Sequence, residues 1–227
     1  MTTQTIPTPY GDGRLVTRRA RAPIATLLLS HGAGNGIDTH DLLALQAALP
    51  AQGISVLLFE QPWRVAGRPV ASAPKTLDAG LTAVVDQLRI RTPLVVGGRS
   101  AGARSAARTA KSLGAAGCLA LAFPLHPPGK SVAKQAGSAA TGAKKSRVEE
   151  LAGVGVPTLV VQGERDPMGR PEEFPPDLDG VDLVVVPGAD HGLRVPKRGG
   201  VTEEEADAIL VESTLEWLVR EVVGARA

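Results

Sequence analysis

Short unbroken apolar runs alternate along this chain with segments whose apolar residues recur at helical spacing. The runs are Ile24–Ser30, Ile54–Phe59, 93–97, Cys118–Phe123, Val156–Val161 and Val181–Val186. Between them, the spacing predicts helices over 38–50, 75–89, about 101–113 and 202–222. Leu42, Leu43, Leu45, Ala48 and Leu49 mark the inner face of the first, with Asp38 or Thr39 near its cap. Ile209, Leu210, Leu215, Leu218 and Val219 mark that of the last. Strands that do not alternate in polarity are buried on both faces, and the intervening helices supply the cover. The order predicts an α/β three-layer sandwich with a mostly parallel central sheet. The C-terminal ends of its strands gather on one rim, where loops build a site.

Two stretches depart from this rhythm. Residues 1–22 are polar and read as an N-terminal arm or an edge hairpin around Gly11-Asp12-Gly13. Residues 23–227 then form a single domain. Residues 126–150 hold no apolar strand and read as a flexible basic excursion, either a flap over the site or a solvated loop.

Composition narrows the function classes. Among 227 residues the aromatic share is 3%, so Ala, Val and Leu must fill the core. A net charge of +2 argues against nucleic acid or a membrane as partner. Local basic clusters (Arg14, Arg18, Arg19 and Arg21; Lys130, Lys134, Lys144, Lys145 and Arg147) lack interleaved aromatics and read as solvated surface. Cys118 is the sole cysteine, which excludes an intrachain disulfide and offers no zinc cluster. No apolar run approaches the ~20 residues of a membrane span, and no signal-peptide core is visible. A cytoplasmic protein is the expectation.

The chemistry concentrates at strand ends. Gly98-Arg99-Ser100-Ala101-Gly102 follows the 93–97 strand and precedes a small-residue helix. This is G-x-S-x-G on a strand–turn–helix, which projects its serine as a nucleophile. Asp166 and His191 follow two later strands, in the order Ser, Asp, His. Singly, Ser100 also reads as a turn serine, Asp166 before Pro167 as an Asx turn, and His191 as a strand cap. Together they read as nucleophile, orienting acid and base. Asp190 adjoins His191 too closely to orient it, and Glu164 is a weaker rival. Gly97-Gly98-Arg99-Ser100 lacks the Lys-Ser/Thr grip of a phosphate loop.

His31-Gly32-Ala33-Gly34, Gly98–Gly102, Phe123–Gly129, Gln162–Pro167 and Gly188–His191 together resemble the alpha/beta-hydrolase superfamily. The resemblance is to its dienelactone-hydrolase-like branch, and most closely to the small hydrolase-like domains of a histone-acetyltransferase-complex subunit and a testis-expressed protein. It covers about residues 23–222 and implies an alpha/beta-hydrolase sandwich with little or no cap. Ala103 stands where a glycine is common after the elbow, and the 130–147 segment is longer and more basic than in compact relatives.

On this reading Ala101 and Ala33 donate backbone N–H groups to an oxyanion hole, with Gly34 as fallback for Ala33. His31 shapes the oxyanion turn. Arg99 pairs with Glu60 to rigidify the elbow, or binds an acidic substrate group. His126 and Trp63 are candidate pocket walls, Trp63 equally a core residue; His40 reads as superficial. The expected reaction is hydrolysis of a small carboxylic ester or thioester through an acyl-enzyme, with no metal or organic cofactor. The alternative is a non-catalytic protein-interaction module on the same scaffold.

Overall fold

The computed structural model describes residues 1–127 and 146–224. Eight strands form one sheet: β1 Thr2–Thr8, β2 Gly11–Arg18, β3 Ala25–Ser30, β4 Ile54–Glu60, β5 Leu94–Arg99, β6 Gly117–Leu121, β7 Thr158–Gly163 and β8 Val181–Val186. The helices are α1 His40–Ala48, α2 Pro62–Val65, α3 Pro74–Gln87, α4 Ala101–Thr109, α5 Val148–Ala152 and α6 Glu203–Trp217. Strand order across the sheet is β1-β2-β4-β3-β5-β6-β7-β8. From β4 to β8 every pairing is parallel, and the β1–β2 hairpin joins β4 antiparallel.

The unbroken apolar runs explain the layering. Residues of β3, β4, β5, β6 and β7 are buried throughout. On one face Leu27, Leu29, Val95 and Leu119 pack with Leu42 and Leu45 of α1 and Leu210 and Trp217 of α6. On the other, Leu28, Val96 and Ala120 pack with Leu81 and Val84 of α3 and Ala103, Ala106 and Ala107 of α4. Small residues on α4 let it lie close to the sheet, and the Ala103 methyl is simply part of that core. A capping box starts α6: Thr202 Oγ1 accepts from Glu205 N at 3.2 Å, and Glu205 Oε2 accepts from Thr202 N at 2.7 Å.

Several expectations need adjustment. The Val181–Val186 run does not mark a strand buried on both faces. It is the sheet edge, and Leu183 and Val185 are exposed. Leu43 and Val219 also face outward. The Cys118–Phe123 run ends as a strand at Leu121, because Ala122 takes a left-handed φ of 46°. Thr39 occupies the α1 N-cap, but its hydroxyl caps nothing. Within the basic excursion, residues 128–145 lie outside the described residues, Lys130, Lys134, Lys144 and Lys145 among them. Its far end is ordered structure: α5 carries Glu150, which accepts from Arg104 Nε at 2.7 Å and from Arg108 Nη1 at 3.2 Å.

The β5–α4 turn presses against β3. A Cβ on Gly98 or on Gly102 would collide with the Ser30 carbonyl oxygen, so only glycine permits this approach. Gly98→Ala should therefore destabilise the fold by about 3 kcal/mol in chemical denaturation. Gly200→Ala, at a position with no atom within 4 Å, should stay within about 0.5 kcal/mol.

Candidate active site

Ser100 sits between β5 and α4 with φ 52° and ψ −108°. A non-glycine residue in that region costs about 1–3 kcal/mol and persists only where its surroundings hold it. Here Ser100 N donates to Leu121 O at 2.9 Å and Arg104 N donates to Ser100 O at 3.1 Å. The turn points Ser100 Oγ at His191 Nε2, 2.9 Å away. His191 Nδ1 lies 2.7 Å from Asp166 Oδ2. The hydroxyl, imidazole and carboxylate thus form one continuous hydrogen-bonded line across three loops. Ser100 and His191 keep partial exposure, whereas Asp166 is fully buried.

Asp166 is surrounded by donors. Gln162 Nε2 donates to its Oδ2 at 2.8 Å, and Met168 N to its Oδ1 at 2.8 Å. A carboxylate is acceptor-only, so His191 Nδ1 carries the proton towards it and leaves Nε2 free to accept from Ser100. Asp190 and Glu164 do not compete. Asp190 Oδ1 accepts from Gly192 N at 2.7 Å and Arg194 N at 3.2 Å, bracing the turn that follows His191. Glu164 Oε2 accepts from Gly188 N at 2.6 Å.

Two side chains hold that turn. Arg99 Nη2 donates to His191 O at 3.0 Å. His40 bridges Gly192 O at 2.9 Å and Asp207 Oδ1 of α6 at 2.9 Å. His40 is therefore a strut between α1, α6 and the His191 loop, not a superficial side chain. Leu193, buried at φ 54°, completes the strained turn.

Arg99 does not pair with Glu60. Its Nε lies 3.2 Å from Oδ2 of Asp41 on α1, a close charge contact without hydrogen-bond alignment, and Asp41 is fully buried. Glu60 instead meets Arg14 at 2.7 Å, its register partner on β2. Trp63 is 2% exposed and packs against His31, ring centroids 5.5 Å apart, so it is core and not a pocket wall. His126 faces Glu173 at 3.2 Å, and its backbone N donates to Met168 O at 2.8 Å; both contacts tie down its own loop and neither reaches Ser100, His191 or Asp166. His31 fixes the turn after β3: Nδ1 donates to Gly32 O at 2.8 Å and Nε2 accepts from Gln61 N at 3.0 Å. Burial holds the His31 imidazole below its ordinary 6.5.

Ala101 is the first residue of α4, where a backbone N–H has no intrahelical acceptor. The Ala33 N–H, on the loop after β3, also has no partner among the described residues, and Ala33 and Gly34 are exposed. Asn35, Asp38, Arg99, Gly192 and Arg194 help line an adjoining cavity of about 340 Å³. Burial pushes the Cys118 thiol up to about 12, which removes it as a rival nucleophile. Among the described residues no His, Cys, Asp and Glu side chains cluster in a metal-binding group. Among them, too, no helix is long and apolar enough to cross a membrane.

Residues 23–219 match the family model described as an alpha/beta hydrolase domain. No curated protein sequence matches the chain. Solved structures share the fold at low identity. An alpha-beta serine hydrolase homologue from Coxiella burnetii is 19% identical with TM-score 0.69, over 93% of this chain and 96% of its own. An a/b serine hydrolase without lid from Xanthomonas campestris is 18% identical with TM-score 0.67, over 97% and 94%. A dienelactone hydrolase from Anabaena variabilis is 16% identical with TM-score 0.72, over 97% of each chain.

Two predictions follow from the support of the site. Arg99→Met leaves buried Asp41 unpaired and should cost about 3 kcal/mol in chemical denaturation. In the surviving folded fraction, hydrolase activity should lose kcat with KM unchanged; a raised KM for acidic substrates at full stability would assign Arg99 to substrate binding. His31, held neutral in the fold, binds fewer protons than in the unfolded chain. Stability should therefore fall as pH drops through about 6.5 and draw no such contribution above it. In pH-dependent denaturation, His31→Gln should flatten that acidic slope.

Proposed function

The chain belongs to the alpha/beta hydrolase domain family, and from that premise we propose that it is a serine hydrolase cleaving small carboxylic esters or thioesters. The observation that carries this reading is the unbroken hydrogen-bonded line from Ser100 Oγ through His191 to Asp166.

Free serine is a weak nucleophile. As Ser100 Oγ attacks the acyl carbon, His191 Nε2 takes its proton. Asp166 stabilises the resulting imidazolium and keeps the ring in register. Negative charge moves onto the carbonyl oxygen, where the N–H groups of Ala101 and Ala33 act as fixed donors. The tetrahedral intermediate collapses when His191 returns the proton to the leaving alcohol or thiol. An acyl group is then esterified to Ser100. Water, deprotonated by His191, attacks that ester and releases the acid, restoring the Ser100 hydroxyl. No step in this sequence calls on a metal or an organic cofactor.

The small-substrate part rests on the short oxyanion loop, on the partly exposed Ser100, and on the likeness to a serine hydrolase described as lacking a lid. The finer kinship, with the small domains of a histone-acetyltransferase-complex subunit and a testis-expressed protein, is our reading of the five motifs quoted above. Residence in the cytoplasm and action of residues 23–227 as one unit are parts of the same proposal.

An ester series graded in acyl length, assayed beside Ser100→Ala, tests the function. Activity should favour short acyl chains, and the substitution should remove at least about 10⁴-fold of kcat/KM. Hydrolysis unchanged in Ser100→Ala would reject Ser100 as nucleophile. A folded wild-type protein that hydrolyses nothing and never labels with a fluorophosphonate would favour an interaction module.

A further inference from the structure

A second cavity, about 550 Å³, opens at the opposite end of the sheet from Ser100. Its floor is the sheet face that α3 covers. Along that face Leu15, Leu28 and Leu57 pack with Leu81 and Val84 of α3. Side chains two apart on a strand share a face. Two residues from each leucine, where the helix cover runs out, the chain places Thr17, Thr26 and Ser55. These three hydroxyl positions are 6–7% exposed, where an apolar side chain would have continued the core.

The hydroxyls retain bonding capacity. Ser55 Oγ accepts from Ala20 N at 3.1 Å and keeps its own proton to donate. Thr26 Oγ1 shares a 2.8 Å bond with Thr92 Oγ1. Thr17 Oγ1 has no hydrogen-bond partner among the described residues. Around this floor stand Arg19, Arg89 and Arg91, which make no ion pair among the described residues. No carboxylate lines the cavity. Gln87, which also lines the cavity, ties α3 to β1 by donating from Nε2 to Pro7 O at 2.8 Å.

We infer that this cavity binds a compact polyanion, a small molecule bearing phosphate or several carboxylate groups. Guanidinium groups pair with both kinds of oxyanion, and the floor hydroxyls donate to their remaining oxygens. The volume lies within the range of small-molecule sites. The lining includes no Phe, Tyr or Trp on which a nucleobase stacks, which disfavours single-stranded nucleic acid as occupant. The site is distinct from the triad: Thr26 and Ser55 lie near the N-terminal ends of β3 and β4, whereas Ser100 follows the C-terminal end of β5.

Calorimetric titration of the full chain with pyrophosphate, and separately with citrate, tests the inference and tells the two anion chemistries apart. At least one should bind. Arg89→Gln with Arg91→Gln should weaken it by about tenfold or more with the ligand-free Tm unchanged, since both arginines are exposed. Thr17→Val should weaken it by about fivefold, with the ligand-free Tm unchanged. Three results would each overturn the site: no binding of either anion at millimolar concentration, binding indifferent to the arginine substitutions, or binding that depends on the arginines and ignores Thr17→Val. The last would mean loose attraction to a basic surface.

Discussion

Asp166 is fully buried, and a buried carboxylate is tolerable only when donors surround it. Gln162 and Met168, from its own strand and loop, satisfy part of it. The remaining donor, His191, comes from a separate loop after β8. That single requirement makes the two loops meet and fixes which imidazole nitrogen carries the proton. The free nitrogen then faces Ser100. The geometry at the hydroxyl is thus a consequence of satisfying a carboxylate two groups away.

The opposite end of the line is held by close packing. The elbow can approach β3 because Gly98 and Gly102 present no Cβ to the Ser30 carbonyl. Ser100 bears the backbone strain this produces. Arg99 joins the two ends. It adjoins Ser100 in the chain, donates to the His191 carbonyl, and lies against Asp41 of α1. His40, one residue before Asp41, holds the next carbonyl, Gly192 O. One turn of α1 therefore supports both the Ser100 elbow and the His191 turn.

The sheet and the hydrogen-bonded Ser100, His191 and Asp166 were legible because they are written locally. Strands β3 to β8 are apolar runs, and Ser100, Asp166 and His191 each stand just beyond one in a glycine-rich turn. What supports them was not legible, because it depends on which elements become neighbours. Glu60 and Arg99 both end strands on the same rim, so sequence alone offers them as partners. But β2 lies antiparallel on the outer side of β4 and brings Arg14 directly opposite Glu60, while α1 delivers Asp41 to Arg99. Gln162 and Asp41 did leave a trace: a polar residue at the end of a buried strand and an acid inside an apolar helix. His40 left none, since its partners lie more than a hundred residues away in sequence. The edge position of β8 was likewise invisible in its composition.

Rapid-quench trapping of the acylated protein is the most direct measurement of the central claim. The enzyme is mixed with an activated ester, quenched within one turnover, digested and mapped by mass spectrometry. The acyl group should be found on the peptide holding Ser100, at close to one per chain, and should be absent when His191 is replaced by Ala. Turnover that leaves no acyl adduct, or an adduct on any other residue, would contradict the account.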